Sequence, residues 1–262
     1  MNPPTLDEVR EALVAGGITG PHRSHSRRST LGKIEPLLEG DPDKTFGLSG
    51  LDRYAAHEIL GFMADLTGCD PDLTCLDLDD SIDPDKTVAG IVAAAERLRE
   101  AARSGATLLC ATGHPTGMLE HNMRVVDAYM RGGGKVLRLR EDERLPVGRA
   151  GSHSEVRYTG NVGCLADWGN LRHTHRSDAM EALLEAQPWP DLVFADHGFA
   201  GAAIERSIPT ITVIDINDHA LAVSVAEGRD ITAIPLDDNR PPRLYEPSWR
   251  LFEAVIGGQE VA

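Results

Sequence analysis

The chain has 262 residues, of which 26% are charged and 41% hydrophobic, and a formal net charge of −15. That length can bury a full core, and the ordinary charged fraction excludes wholesale disorder. The acidity argues against nucleic acid as a partner, because gripping a phosphate backbone needs a basic face.

The opening stretch MNPPTLDEVREAL lacks the basic-then-apolar pattern of a leader. No apolar run approaches membrane-spanning length, so the expectation is a cytoplasmic protein with no membrane partner. Thr5 and Glu8 are spaced as a capping box for a helix carrying Leu6, Val9 and Leu13. GPHRSHSRRST is the one basic cluster. Its His22, Arg23, His25, Arg27 and Arg28 fit either a solvated loop or a lid that folds over a phosphate, with EGDPDKTFGL continuing it. LDRYAAHEILGFMADLTG reads as a helix. In SIDPDKTVAGIVAAAERLREAARSG, Asp83 caps, Pro84 suits the first position, and Val88, Ile91, Val92, Ala95 and Leu98 trace one face until Gly105. Cys69, Cys75, Cys110 and Cys164 form no CxxC pair and read as reduced thiols.

From residue 106 strands alternate with helices. ATLLCA, KVLRL, DLVFADHG, PTITVID and DITAIPL are strand-like, while EVRYTG, VGCLAD and NLRHTH suggest an inserted hairpin turning at Gly169 and Asn170. Alternation implies parallel pairing with right-handed crossovers. The expected fold is α/β: a doubly wound, mostly parallel Rossmann-like sheet over 106–262, with an inserted hairpin. An N-terminal helical layer or lid over 1–105 completes one compact unit.

In such sheets ligands gather beyond the carboxyl ends of the strands. Four strand ends carry unusual polar residues: TGHPTG, HTHRSD, DHGFAG and DINDHA. In the first, Gly113 and Gly117 permit close backbone approach, Thr112 and Thr116 add hydroxyls, and the helix start suits an anion. His114 there can donate a proton or bind a metal. His173 and His175, two apart, would share one face of a strand and grip a metal or an anion. Ser177 caps the next helix or joins an anion site. Asp196 and His197 leave a strand tip together as an acid–base pair or a metal contribution, or else as a capping Asp beside a surface His. Asp215, Asn217, Asp218 and His219 suit a hard cation, though Asp218 reads equally as a helix N-cap. Asp237, Asp238 and Asn239 are similar but read more readily as a polar loop.

The ordered set ATGHPTGM, HTH, PDLVFADHGFAGAA, DINDHAL and IPLDDN resembles a mainly actinobacterial phosphatase family, from roughly residue 20 to residue 247. GDPDKTFGL and DSIDPDKT resemble that family's N-terminal segments, whereas PHRSHSRRS is more basic than its counterpart there. The resemblance implies a phosphomonoester hydrolase acting on a small phosphorylated metabolite such as a sugar phosphate or a nucleoside monophosphate. The motifs map onto His114, His175, Asp196, His197 and Asp218. In the expected mechanism, Thr112, Gly113, Thr116, Gly117, Arg27 and Ser177 hold phosphate. Asp196 and Asp218 hold a divalent cation (Mg2+ or Mn2+), and His114 or His197 protonates the leaving oxygen. Sugar-phosphate isomerisation, nucleotide glycoside cleavage and phosphate-ligand binding without turnover keep the same anion site and remain alternatives. A homo-oligomer is compatible with all of them.

Overall fold

The computed structural model describes residues 3–148 and 152–261; the middle of the polar loop expected before residue 155 lies outside them. Helix α1 (Leu6–Gly16) begins on the expected capping box, Glu8 N donating to Thr5 Oγ1 and Thr5 N to the Glu8 carboxylate. Then come β1 (Gly20–Pro21), α2 (Arg27–Leu31), α3 (Ile34–Leu38), α4 (Pro42–Thr45) and α5 (Ala56–Thr67). Strand β2 (Ser81–Ile82) pairs with β1 and leads into the long α6 (Pro84–Ser104). Asp83 Oδ1 accepts from Asp85 N at 2.9 Å, and Gly105 closes α6 at a left-handed φ of 74°.

The second part runs β3 (Thr107–Thr112), α7 (Pro115–Arg131), β4 (Lys135–Val136), β5 (Ser154–Thr159), β6 (Val162–Asp167) and β7 (Asn170–Leu171). It continues with α8 (Asp178–Leu183), β8 (Leu192–Ala195), α9 (His197–Glu205), β9 (Thr210–Ile214), α10 (His219–Ala226), β10 (Ile231–Pro235) and α11 (Glu246–Ile256). Eight strands form one sheet in the order β10-β9-β8-β3-β6-β5, with β4 on β3 and β7 on β6. Pairing is parallel from β10 through to β6 and antiparallel at β5/β6 and β6/β7. The fold is therefore the expected mostly parallel α/β sheet with an antiparallel hairpin at one edge.

Helices cover both faces. Leu13, Ile91, Leu98, Val125 and Phe252 of α1, α6, α7 and α11 share one apolar cluster with Leu108 and Phe194. Leu37, Leu60, Phe199 and Leu221 of α3, α5, α9 and α10 share the other with Leu109 and Val193. Residues before 105 thus contribute to both clusters. No helix among the described residues is long and apolar enough to cross a membrane.

Two expected strands shrink. KVLRL keeps only Lys135–Val136, because β4 and β6 share one edge of β3: β4 pairs at Thr107 and Leu108, and β6 takes Cys110 to Thr112. NLRHTH keeps only Asn170–Leu171, because the chain then crosses the end of β3, where Thr174 N donates to Gly113 O at 2.9 Å. His173 and His175 therefore stand on a crossing loop and not on a strand face.

Under α11 lies a buried histidine remote from these loops. His121 sits within hydrogen-bond distance of Asn122 Oδ1 (3.0 Å) and Ser248 Oγ (2.9 Å) and packs against Phe194, Tyr245 and Phe252. Burial holds its pKa down at about 4 from 6.5. Above the unfolded value both states are neutral and the group contributes nothing to pH dependence. As pH falls from 6.5 toward 4 the unfolded chain takes the proton first, so stability drops by up to about 3 kcal/mol. His121→Gln is expected to start less stable yet lose about 2–3 kcal/mol less than wild type between about pH 7 and pH 4.5 in urea unfolding. Equal losses in the two proteins would refute it.

Candidate functional site

The carboxyl ends of β3, β8, β9 and β10 lie side by side, and the chain runs off β3 toward β6 but returns through β8 on the other side. That reversal opens the crevice in which an open α/β sheet binds its ligand. Asp196, Asp215, Asp218, Asp237 and Asp238 descend from these ends and are each only 1–2% exposed. Among the described residues, the cationic groups within 4.0 Å of the five are all histidines: His22, His25, His114 and His197.

Asp196 is the fixed point of the arrangement. Its Oδ2 accepts from Thr112 Oγ1, and its Oδ1 accepts from Gly113 N at 2.6 Å. Thr112 Oγ1 in turn accepts from His114 N at 2.9 Å. The carboxylate thus ties the tip of β8 to the tip of β3, with Oδ1 3.6 Å from His197 Nδ1. Next to it His197 adopts a φ of 45°, a left-handed conformation that costs a residue with a Cβ about 1–2 kcal/mol. Two glycines admit the crossing loop. A Cβ on Gly113 would lie 2.2 Å from Thr174 O, and one on Gly198 would lie 2.2 Å from Arg176 C. The loop therefore rests on bare backbone, and His173 and His175 reach the site. His173 stacks on His114 at 4.3 Å between ring centroids, and His175 lies 4.4 Å from His197.

Among the described residues, three groups of side chains offer ligand atoms within 4.8 Å of one another: His197, Asp218 and Asp238; His114, His173 and His197; and His22, Asp215 and Asp237. Hydrogen bonding separates them. In the third group, His25 N donates to His22 Nδ1 at 3.1 Å, so the ring proton sits on Nε2 and goes to Asp215 Oδ1 at 2.7 Å. Ser24 Oγ donates to both Asp237 oxygens, at 2.6 and 2.8 Å. That group is a clasp pinning the N-terminal segment to β9 and β10, with one bare oxygen, Asp215 Oδ2. The other two groups are open. Asp218 Oδ1, Asp238 Oδ2, His114 Nδ1 and His197 Nδ1 are buried without a hydrogen-bond partner. Such orphans are costly in an interior and are the fit expected of a cation site.

Electrostatics agree. Burial opposes charge on His197, but Asp218 and Asp238 outweigh it and hold its pKa up at about 10. Burial, partly offset by His197 and reinforced by Asp238 and Asp215, pushes Asp218 up to about 7. A field that stabilises a proton between these carboxylates stabilises a dication there more strongly. The buried His/Asp clusters could thus hold a divalent metal ion.

Several expected roles change. Arg27 does not reach the site. Its guanidinium is 1% exposed and is consumed by Asp80 Oδ1 at 2.7 Å and by the carbonyls of Asp70, Asp72 and Cys75. Thr112 and Gly113 spend their donors on Asp196, Gly117 N donates to His114 O at 3.2 Å, and Thr116 is exposed at the start of α7. The expected backbone cradle for phosphate is therefore occupied by the protein itself. Gly117 instead makes room for Asp238, whose carbonyl would stand 2.1 Å from its Cβ. Ser177 Oγ donates to Glu181 at 2.7 Å and makes no cap. Asp196 clamps rather than joining a cluster; Asp238, read as a loop residue, stands between His114 and His197. His22 and His25 arrive through the clasp, and the half-buried Lys33, which no motif marks, acts with its charge on Asp218, Asp215 and Asp238. Two adjacent aspartates directly after a strand were the one sequence signal for Asp238.

A family model described as Phosphatase matches residues 4–255 of the chain. The chain is also similar to a protein named as a phosphatase from Streptomyces coelicolor, 34% identical over 262 residues that cover 97% of each.

The clamp and the loop make a stability test. Gly113→Ala forces a Cβ onto Thr174 O and is expected to cost about 2–4 kcal/mol. Gly61→Ala, inside α5 with nothing within 4 Å of its Cβ, is expected to gain about 0.5–1 kcal/mol. Urea midpoints check both, and a neutral Gly113→Ala would refute the close contact.

Proposed function

The chain belongs to the phosphatase family, and from that premise we propose that it hydrolyses phosphomonoesters of small metabolites, such as sugar phosphates or nucleoside monophosphates. The reading includes a divalent cation held by His197, Asp218 and Asp238. The observation that carries it is the convergence of the buried, partnerless oxygens of Asp218 and Asp238 on His197 Nε2 at adjoining strand ends. Bound there, the cation supplies Lewis-acid neutralisation of the phosphoryl group.

The chain's own residues do the rest. Lys33 and Lys44 carry charges that act on His175, at the mouth of the site, and so face an incoming phosphate dianion from that side. They take over the clamping role first expected of Arg27. His175 is half-buried, packs on His197 and edge-on against Phe46, and belongs to none of the three ligand groups. Burial, with His197, His173, Lys33 and Lys44, holds its pKa down at about 2 from 6.5, so it meets the substrate as a neutral imidazole whose N–H donates to the leaving oxygen. Asp196 acts through Thr112 and Gly113 by holding His114 in place.

The test is phosphate release from a panel of sugar phosphates and nucleotides, with and without EDTA and with Mg2+ or Mn2+ restored. Release that stops on chelation and returns with metal is expected. His175→Ala is expected to lower kcat about 100-fold or more with metal content unchanged. No release under any condition would overturn the hydrolase, and release indifferent to chelation would overturn the cation.

A further inference from the structure

We propose that the site holds two cations, with Asp238 as the carboxylate that bridges them. The inference rests on the metal-dependent reading above and extends it to a second site and a metal class.

The two oxygens of Asp238 face different imidazoles. Oδ2 lies 3.2 Å from His197 Nε2, on the side of Asp218, whose Oδ1 is 3.6 Å from the same nitrogen. Oδ1 lies 3.1 Å from His114 Nδ1. Asp238 Oδ2 and His114 Nδ1 are nonetheless without a hydrogen-bond partner, so these contacts are short but poorly aligned for sharing a proton. Buried ligand-type atoms this close together with no hydrogen bond between them leave room for a cation as their shared partner.

A cation held by His197, Asp218 and Asp238 Oδ2 leaves the other half of the carboxylate unused. On that half stands His114, 4% exposed and 3.1 Å from Oδ1, with the exposed His173 in ligand spacing of His114 and His197. One cation therefore cannot satisfy the buried atoms on both sides of Asp238. The remaining His/Asp group is not the second site, since the His22 tautomer places a proton on Nε2 and Ser24 occupies Asp237. Charge points the same way. Among the described residues, imidazoles are the only cationic groups within 4.0 Å of five buried carboxylates, and two dications come close to balancing them.

The donor set names the class. The second position offers imidazoles and one carboxylate oxygen, which suits a first-row transition dication such as Mn2+ or Zn2+ better than Mg2+. Carboxylate-bridged cations of this kind sit about 3.5–4 Å apart.

The experiment is equilibrium dialysis of metal-stripped full-length protein against Mn2+, with metal counted per chain and electron paramagnetic resonance recorded at saturation. Two equivalents with an exchange-coupled spectrum are expected. His173→Gln is expected to weaken one equivalent about tenfold or more while keeping the other. Asp218→Asn is expected to weaken the other, and circular dichroism verifies that both variants fold. A single equivalent, or two with the six-line spectrum of isolated ions, would overturn the bridge. So would two equivalents insensitive to His173→Gln. Phosphate release with one bound equivalent overturns this inference alone; two bridged equivalents without any phosphate release overturn the hydrolase alone.

Discussion

Five carboxylates buried at the ends of three neighbouring strands, with histidines as the only cationic groups within 4.0 Å among the described residues, are the constraint from which the rest of the molecule follows. A fold cannot leave that much like charge in its interior without an answer. Two of the five are answered within the chain. Asp196 is hydrogen-bonded by Thr112 and Gly113, and Asp237 by Ser24 and Asn239 N. For Asp218 Oδ1 and Asp238 Oδ2 the chain supplies no hydrogen bond, only nearby His197 and the more distant charge of Lys33, so an external charge is the remaining answer. Asp215 stands between the two cases, one oxygen held by His22 and Ile216 N, the other bare.

The same constraint explains where strain is tolerated. His197 is kept in a left-handed conformation, and glycines at 113 and 198 let a loop cross directly over the strand ends. Each feature costs stability locally, through an unfavourable φ or through the extra freedom glycine carries when unfolded. All of them bring imidazoles within reach of Asp238. The rigid part is the sheet, with apolar clusters on both faces. The N-terminal segment is fastened to it through His22 and Ser24, so ordering that segment and filling the site are parts of one electrostatic problem.

Much of this was legible in the sequence. Strand and helix periods are local properties, and they placed the sheet and its four polar tips, because period and capping depend on near neighbours. What escaped was decided by distant partners. Arg27 looks like a phosphate ligand until Asp80, 53 positions away, is seen to hold it. Gly113 looks like an anion turn until Asp196 takes its N–H. The truncation of KVLRL follows from β6 claiming the same edge of β3, a competition no window of sequence contains. Asp238 was discounted because its surroundings read as a polar loop, and nothing local distinguishes a solvated aspartate from one buried between two imidazoles.

The pair Asp237 and Asp238 shows how little sequence separates structure from chemistry here. Successive side chains on extended backbone point to opposite sides. Asp237 therefore meets Ser24 of the N-terminal segment, while Asp238 meets His114 and His197. The first is saturated by hydroxyl and amide donors; the second faces nitrogens that cannot satisfy it by hydrogen bonding. Asp215 and Asp218 repeat the division across one turn, since Asp218 Oδ2 accepts from Asp215 N while its Oδ1 stays bare. The ends of β9 and β10 thus spend some of their carboxylate oxygens on holding backbone and keep the others unpaired. The bare oxygens are held rigidly because their neighbours on the same or the adjoining residue are so firmly bonded, which is the preorganisation a charged ligand needs.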